Sequence, residues 1–459
     1  MIPTSPVLDG KVSDVFDAAL SEKLKAVVSE LGLTPDTKDL DAQPPGSGRR
    51  KRGFDPTDRT SKLSLAPDEN GVLRWVYQPA IRGPSSRRAR RAARRQVGAN
   101  AVHEIDIKDT PPNEVLDKIK KLDDTLTPNQ GLRRIRNGQI DTVNCDGIDD
   151  EGGPTLLLVH GTFSKSDMFT EELGAIPSGE ELLARAEAQY KRVLVFDHPT
   201  LSVSPWINAL DLERALANVT GEIDVICHSR GGLVVAWWLR NGNRKVKNVV
   251  FVAAPLQGTS LASPAHLRSA LDYFANIATA AKIVAGVTSA FLPFMLAVQG
   301  LAAIVAGILH TAASTPLADA AVVIVPGLAG QSRVSNNFEI DRLTREKWAS
   351  PANYHAVMSN FQPSEGDSVW QFWKYFQNPK EKLLNWGADA IFNEPNDLVV
   401  NTQSMAQTYR IRDANGSALL NLAAIKDVYD FGTSRTVHHT NYFRQPETVE
   451  FLKQKLNLS

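Results

Sequence analysis

The chain has 459 residues, 42% of them hydrophobic and 22% charged, which supplies at least one large core and excludes a disordered chain. Lys and Arg number 51 and Asp and Glu number 51, so the net charge is zero and no global field draws the protein onto nucleic acid or an anionic surface. Cys145 and Cys227 are the only cysteines, which excludes a disulfide scaffold.

The first residues lack a cationic segment followed by an apolar one, and Asp9, Asp14 and Asp17 interrupt any such run. The chain therefore reads as cytoplasmic, although a mature secreted form would read the same way. Residues 1–150 are polar and rich in turn formers, and are expected to form an amino-terminal extension. Within it the pattern predicts a helix over Val12–Leu31, a strand over Val72–Gln78 and a mixed segment over Val102–Leu122. Its basic clusters, Arg49, Arg50, Lys51 and Arg52, then Arg87, Arg88, Arg90, Arg91, Arg94 and Arg95, could grip phosphates. Without interleaved aromatics they read as a solvated arm, and nucleic acid is not an expected partner.

From Thr155 onward, short β-branched runs alternate with longer amphipathic stretches, which predicts an α/β domain over 151–459 with a mostly parallel central sheet flanked by helices. The predicted strands are Thr155–Val159, Arg192–Asp197, Ile223–Cys227, Val246–Ala253, Val322–Val325 and Asp389–Phe392. In such sheets the ligand-binding loops follow the strands.

Two of those loops carry chemistry. Ile223–Cys227 runs into His228-Ser229-Arg230-Gly231-Gly232 and then an apolar helix, a strand–turn–helix with serine at its apex. The turn needs small residues two positions either side of the serine; Gly231 meets this need, and Cys227 stands in the first place. The strand ending at Val159 leads into His160-Gly161-Thr162-Phe163, a loop able to present backbone N–H groups to a developing oxyanion. Thr162 and Arg230 are the natural donors, with Phe163 as the second choice. His160 reads as a loop-shaping residue, and His198 and the carboxylates near 146–151 as solvated loop residues that form no metal ligand set.

Together these motifs resemble the α/β-hydrolase superfamily, specifically its lipase-like serine esterases, over residues 154–455. Val252-Ala-Ala-Pro255-Leu-Gln-Gly258-Thr259 is similar to the lipase segment that precedes the lid. The resemblance implies a nucleophile, an acid and a histidine in that chain order. Asp397, in Asn396-Asp397-Leu-Val-Val, matches the acid's loop, a setting that Asp389, Asp427 and Asp430 lack. His439, ahead of the terminal amphipathic segment, matches the base, with His438 as the second choice. No cofactor and no metal are called for.

The uncharged stretch from Ile283 to Leu309 is long enough to span a bilayer, but Pro293 and three glycines divide it. It is expected to form a helical cap within 260–320, and Phe163, Phe291, Phe294 and Leu296 are expected to line an apolar substrate pocket. The expected function is hydrolysis of a carboxylic ester with an apolar acyl or alcohol part, in contact with a lipid surface where the cap is exposed. An acyltransferase using the same residues, and a membrane-recruited scaffold without turnover, are the alternatives. The oligomeric state is left open.

Overall fold

The computed structural model describes residues 61–67, 73–78, 103–107, 115–146, 152–242, 244–262, 301, 325–333, 337–345, 348, 350–362, 394–412, 418–422 and 425–458. The chain divides into two compact units, one of Met1–Leu122, Arg268–Ala321 and Gly366–Phe372, the other of Asp123–Leu267, Val322–Glu365 and Trp373–Ser459. In the first, β1 (Ser61–Pro67), β2 (Leu73–Gln78) and β3 (His103–Ile107) form an antiparallel sheet in the order β2-β1-β3. The predicted helix over Val12–Leu31, both arginine clusters, and Phe291, Phe294 and Leu296 lie outside the described residues.

The second unit is built on eight strands: β4 (Gly131–Arg136), β5 (Gln139–Ile140), β6 (Thr155–Val159), β7 (Arg192–Asp197), β8 (Ile223–His228), β9 (Val246–Val252), β10 (Asn353–Phe361) and, after the hairpin β11 (Tyr409–Arg412) and β12 (Ala418–Leu422), β13 (Ile425–Ser434). Their spatial order is β5-β4-β7-β6-β8-β9-β10-β13. β4 runs antiparallel to β7, and every pairing from β7 across to β13 is parallel. Successive strands on the chain thus alternate sides once at the centre and then run outward, which is the order of the α/β-hydrolase fold.

The central strands read as unbroken apolar runs because both faces of the sheet are covered. Leu157, Val159, Leu194, Val225 and Cys227 point to one face, where they pack with Leu212, Ala215, Leu233 and Trp238 of the helices Pro205–Ala215 and Gly231–Asn241. The alternate residues Leu156, Leu158, Val193, Val195 and Ile226 meet Phe169, Leu182, Leu183 and Leu452 from the helices Asp167–Leu173, Pro177–Gln189 and Pro446–Leu456. Three of these helices begin with proline, whose missing N–H costs nothing at a helix start.

The sheet begins at Gly131, ahead of the change in composition near residue 150; β4 and the edge strand β5 carry polar residues that hide the strand pattern in the sequence. β10 and β13 were not legible either. β13 holds Lys426, Asp427 and Asp430 and alternates between half-buried and exposed positions. The predicted strand Asp389–Phe392 lies outside the described residues, as does Val322–Val325 except for Val325, which precedes a short helix. Among the described residues no helix is long and apolar enough to cross a membrane.

Leu157 is fully buried at the sheet centre. Leu157→Ala is expected to lower the unfolding free energy by about 2–5 kcal/mol, read as a shift of the urea midpoint at unchanged slope.

Candidate active site

Three loops at the carboxyl end of the sheet meet at Ser229. The serine follows β8 with a left-handed backbone, φ 52°, a conformation that costs a non-glycine residue about 1–3 kcal/mol. Its amide donates to Val252 O at 2.9 Å and its carbonyl accepts from Gly232 N at 2.9 Å, so the turn is held on both sides. The crowding that demands glycine is explicit. A Cβ on Gly231 would lie 2.4 Å from Val159 O, and one on Gly161 would lie 2.6 Å from Ser229 Cβ. At Cys227 no such demand exists: it is an ordinary buried strand residue whose Sγ lies 3.6 Å from Val250 O, so a compact side chain suffices.

His439 Nε2 lies 2.8 Å from Ser229 Oγ, and His439 Nδ1 lies 2.9 Å from Asp397 Oδ2. Asp397 is fully buried beyond the end of β10, where Phe361 N donates to Asn396 O at 2.8 Å. Its Oδ1 accepts the amides of Val399 at 3.1 Å and Val400 at 2.8 Å, and its Oδ2 also accepts the Tyr442 hydroxyl at 3.1 Å. The His439 amide donates to Asp397 O at 3.0 Å, which ties the two loops together through the backbone as well. A carboxylate so satisfied stays where it is put and holds the proton of the imidazole on Nδ1, leaving Nε2 to accept from the serine hydroxyl.

The neighbouring imidazoles are occupied differently. His438 stands edge-on to Phe361 at 5.6 Å, with Nδ1 3.1 Å from Thr440 Oγ1, and burial pushes its pKa down to about 4. His228 is buried, and its Nε2 donates to the His439 carbonyl at 3.0 Å. Burial, with His439 beside it, lowers its pKa to about 3, so it is neutral near pH 7. His160 and His198 are fully buried and stacked, with ring centres 4.2 Å apart. His198 is therefore not the solvated loop residue expected from the sequence: it packs beneath the loop after β6, between His160 and Phe196. His160 Nδ1–H donates to Gly161 O at 2.9 Å and Nε2 accepts the His198 amide at 3.2 Å, which fixes its neutral tautomer and the shape of that loop.

The loop from Gly161 passes directly against Ser229, with Thr162 next in the chain. Among the described residues the amides of Thr162 and Arg230 have no hydrogen-bond acceptor. The Thr162 hydroxyl accepts from Gln331 Nε2 at 3.0 Å. Phe163, with φ 57°, is buried and its amide donates to Thr200 Oγ1 at 3.4 Å. The Arg230 side chain runs into the core, donating to Val203 O at 2.5 Å and Asn208 Oδ1 at 2.7 Å. Burial lowers its pKa to about 10, opposed by Asp123 and Glu339, so it keeps its charge at neutral pH.

Pro255–Thr259 acts as a brace for the acid loop. Ser404 Oγ donates to Gly258 O at 2.7 Å and accepts from Gln257 N at 3.0 Å, while Ser260 N donates to Asn401 Oδ1 at 3.0 Å and the Thr259 hydroxyl donates to Val399 O. Gln331, His228 and Tyr442 had no sequence signal, because each acts through a partner distant in the chain. Among the described residues no cluster of His, Cys, Asp and Glu could hold a metal ion.

A family model described as Domain of unknown function (DUF7379) matches residues 132–457. No curated protein matches the sequence. Solved structures similar to the chain include lipase 1 from Pelosinus fermentans, with 15% identity, TM-score 0.40 and coverage of 66% of this chain and 98% of that one. EstA from Clostridium botulinum has 15% identity and TM-score 0.39, over 77% of this chain and 99% of that one. The mature form of the Bacillus licheniformis lipase BlEst2 has 14% identity and TM-score 0.32, over 68% of this chain and 95% of that one.

His228→Leu removes the donor to the His439 carbonyl and is expected to cost about 1–3 kcal/mol of stability in urea unfolding. His228→Gln, which keeps an N–H at the same reach, is expected to recover most of that loss.

Proposed function

The chain belongs to the DUF7379 family, and we propose that it is a serine hydrolase of carboxylic esters. The observation that carries this reading is the unbroken line from Ser229 Oγ to His439 Nε2 at 2.8 Å and from His439 Nδ1 to Asp397 Oδ2 at 2.9 Å, with the serine on a strained turn.

In this reading the Ser229 hydroxyl proton passes to His439 Nε2 as Oγ bonds to the ester carbonyl carbon. The carbonyl oxygen becomes an oxyanion that takes the amide hydrogens of Arg230 and Thr162, whose orientation is fixed before reaction and so needs no reorganisation. The protonated His439 then gives its proton to the leaving alcohol, the C–O bond breaks, and an acyl group remains on Ser229. Water, deprotonated by the same imidazole, releases the acid and restores the serine. Asp397 Oδ2 holds Nδ1 through the cycle and faces the imidazolium as it forms. An apolar acyl or alcohol part is the substrate class that the uncharged stretch from Ile283 to Leu309 suggests on sequence alone. An acyltransferase would differ in the second step, where an alcohol replaces water, and product analysis in the presence of added alcohols separates the two.

A fluorophosphonate probe is expected to place one adduct on Ser229, located by mass spectrometry; an adduct elsewhere, or none on folded protein, would overturn the reading. Ser229→Ala and His439→Ala are each expected to lower kcat on a short p-nitrophenyl ester by about four to six orders of magnitude, and His438→Ala by less than tenfold. Equal losses for the two histidine variants would remove His439 from its role.

A further inference from the structure

Asp397 Oδ2 is shared. It accepts His439 Nδ1–H at 2.9 Å and the Tyr442 hydroxyl at 3.1 Å, while Oδ1 takes two backbone amides. We propose that Tyr442 is a positioning residue whose hydroxyl holds down the basicity of His439 by drawing charge from the carboxylate oxygen that the imidazole also uses. The inference rests on the hydrolase reading for its kinetic consequence, but not for its physical basis.

Tyr442 cannot easily aim elsewhere. Its ring is buried in the short turn Tyr442–Arg444, in the same core as Met405 and Phe443, with the Phe431 ring centre 6.2 Å away. The other acceptor near its hydroxyl is Met405 Sδ at 4.0 Å, a weak one beside a carboxylate. Burial and the nearby charge of Asp397 hold the phenol pKa well above its ordinary value, so it remains a neutral donor across the working pH range.

The charged and titratable neighbours do not substitute for it. His228 at the end of β8 gives its Nε2–H to the His439 carbonyl. His438 has its Nδ1 at Thr440. Asp430 on β13 acts on Tyr442 at a distance, Arg444 pairs with Glu172, and neither is hydrogen-bonded to Asp397. Tyr442 is therefore the one side-chain donor that competes with His439 for Oδ2 among the described residues.

A hydrogen bond to an ionised carboxylate spreads its charge and weakens the field it exerts on the imidazole. Without the hydroxyl, Oδ2 carries more charge towards Nδ1, the imidazolium is favoured, and the imidazole pKa rises. The acid limb of kcat/KM, where the base becomes protonated and inactive, then moves to higher pH. A residue that only filled space would lower activity at every pH alike and leave the limb in place.

The test is Tyr442→Phe, with the His439 imidazole followed by ¹⁵N NMR titration in both the Ser229-intact and Ser229→Ala backgrounds, alongside the kcat/KM profile. The expected result is an upward shift of the imidazole pKa and of the acid limb by at least about half a unit. Site-specific fluorotyrosine at 442, a stronger donor in a nearly unchanged shape, is expected to shift both downward, and it serves where Tyr442→Phe fails to fold. Met405→Leu, which leaves the hydroxyl in place, is expected to shift neither. An unchanged imidazole pKa in the fluorotyrosine protein, or a downward shift in Tyr442→Phe, would overturn the proposal. The NMR reading needs no turnover, so its failure and a failure of the esterase reading are distinguishable.

Discussion

Everything at this site depends on forcing one L-residue into a left-handed turn. Ser229 at φ 52° projects its hydroxyl off the end of β8 instead of into the sheet, and that posture is unfavourable for any residue with a Cβ. It persists because the surroundings leave no alternative. The carbonyls of Val159 and His160 fill the space a side chain at 231 would need, Gly161 presses on Ser229 Cβ, and Val252 O accepts the serine amide. Ala253 repeats the left-handed backbone, φ 52°, at the end of β9, with its amide on Val357 O. The strain is local, whereas the hydrogen bonds and packing that hold it extend over four parallel strands.

A second constraint follows from chain distance. Ser229, Asp397 and His439 are brought in by β8, by a loop beyond β10 and by the segment after β13, so their mutual geometry needs struts that do not pass through the sheet. The structure supplies these as bonds that end on backbone groups: His439 N to Asp397 O at 3.0 Å, His228 Nε2 to His439 O at 3.0 Å, and the brace in which Ser404 Oγ and Asn401 Oδ1 hold the backbone of Gln257, Gly258 and Ser260. Struts anchored on short, buried side chains and on the backbone leave few rotamers to order, which suits a site that must hold its distances to within a few tenths of an ångström.

The parts of the fold legible in the sequence are those where the local pattern and the tertiary setting agree. β6, β7 and β8 are buried on both faces, so their apolar runs are unbroken, and the loops after them carry the serine and the Gly161–Thr162 turn. β4, β5, β10 and β13 stayed hidden because they mix polar or charged residues with apolar ones; β13 alternates, but with Lys426 and Asp430 on its open face and Asp427 on the other, paired with His355 and Lys455. His198 shows the opposite failure. A histidine between Asp197 and Pro199 looks solvated, yet its amide is needed by His160 and its ring is stacked beneath the loop. No local pattern encodes a requirement set by a residue 38 positions away.

The several imidazoles near the serine also explain how a site crowded with histidines keeps its protonation unambiguous. Burial depresses His228 to about 3 and His438 to about 4, and His160 below its ordinary value, so near neutral pH these rings act as fixed dipoles that organise loops without adding charge. Each has a defined partner: His228 the carbonyl of His439, His438 the hydroxyl of Thr440, His160 the carbonyl of Gly161. A positive charge on any of them would oppose formation of the His439 imidazolium that the proposed chemistry requires. Their neutrality leaves Asp397 as the carboxylate in direct hydrogen-bond contact with His439, and that same carboxylate is the point on which the Tyr442 hydroxyl and the Val399 and Val400 amides converge.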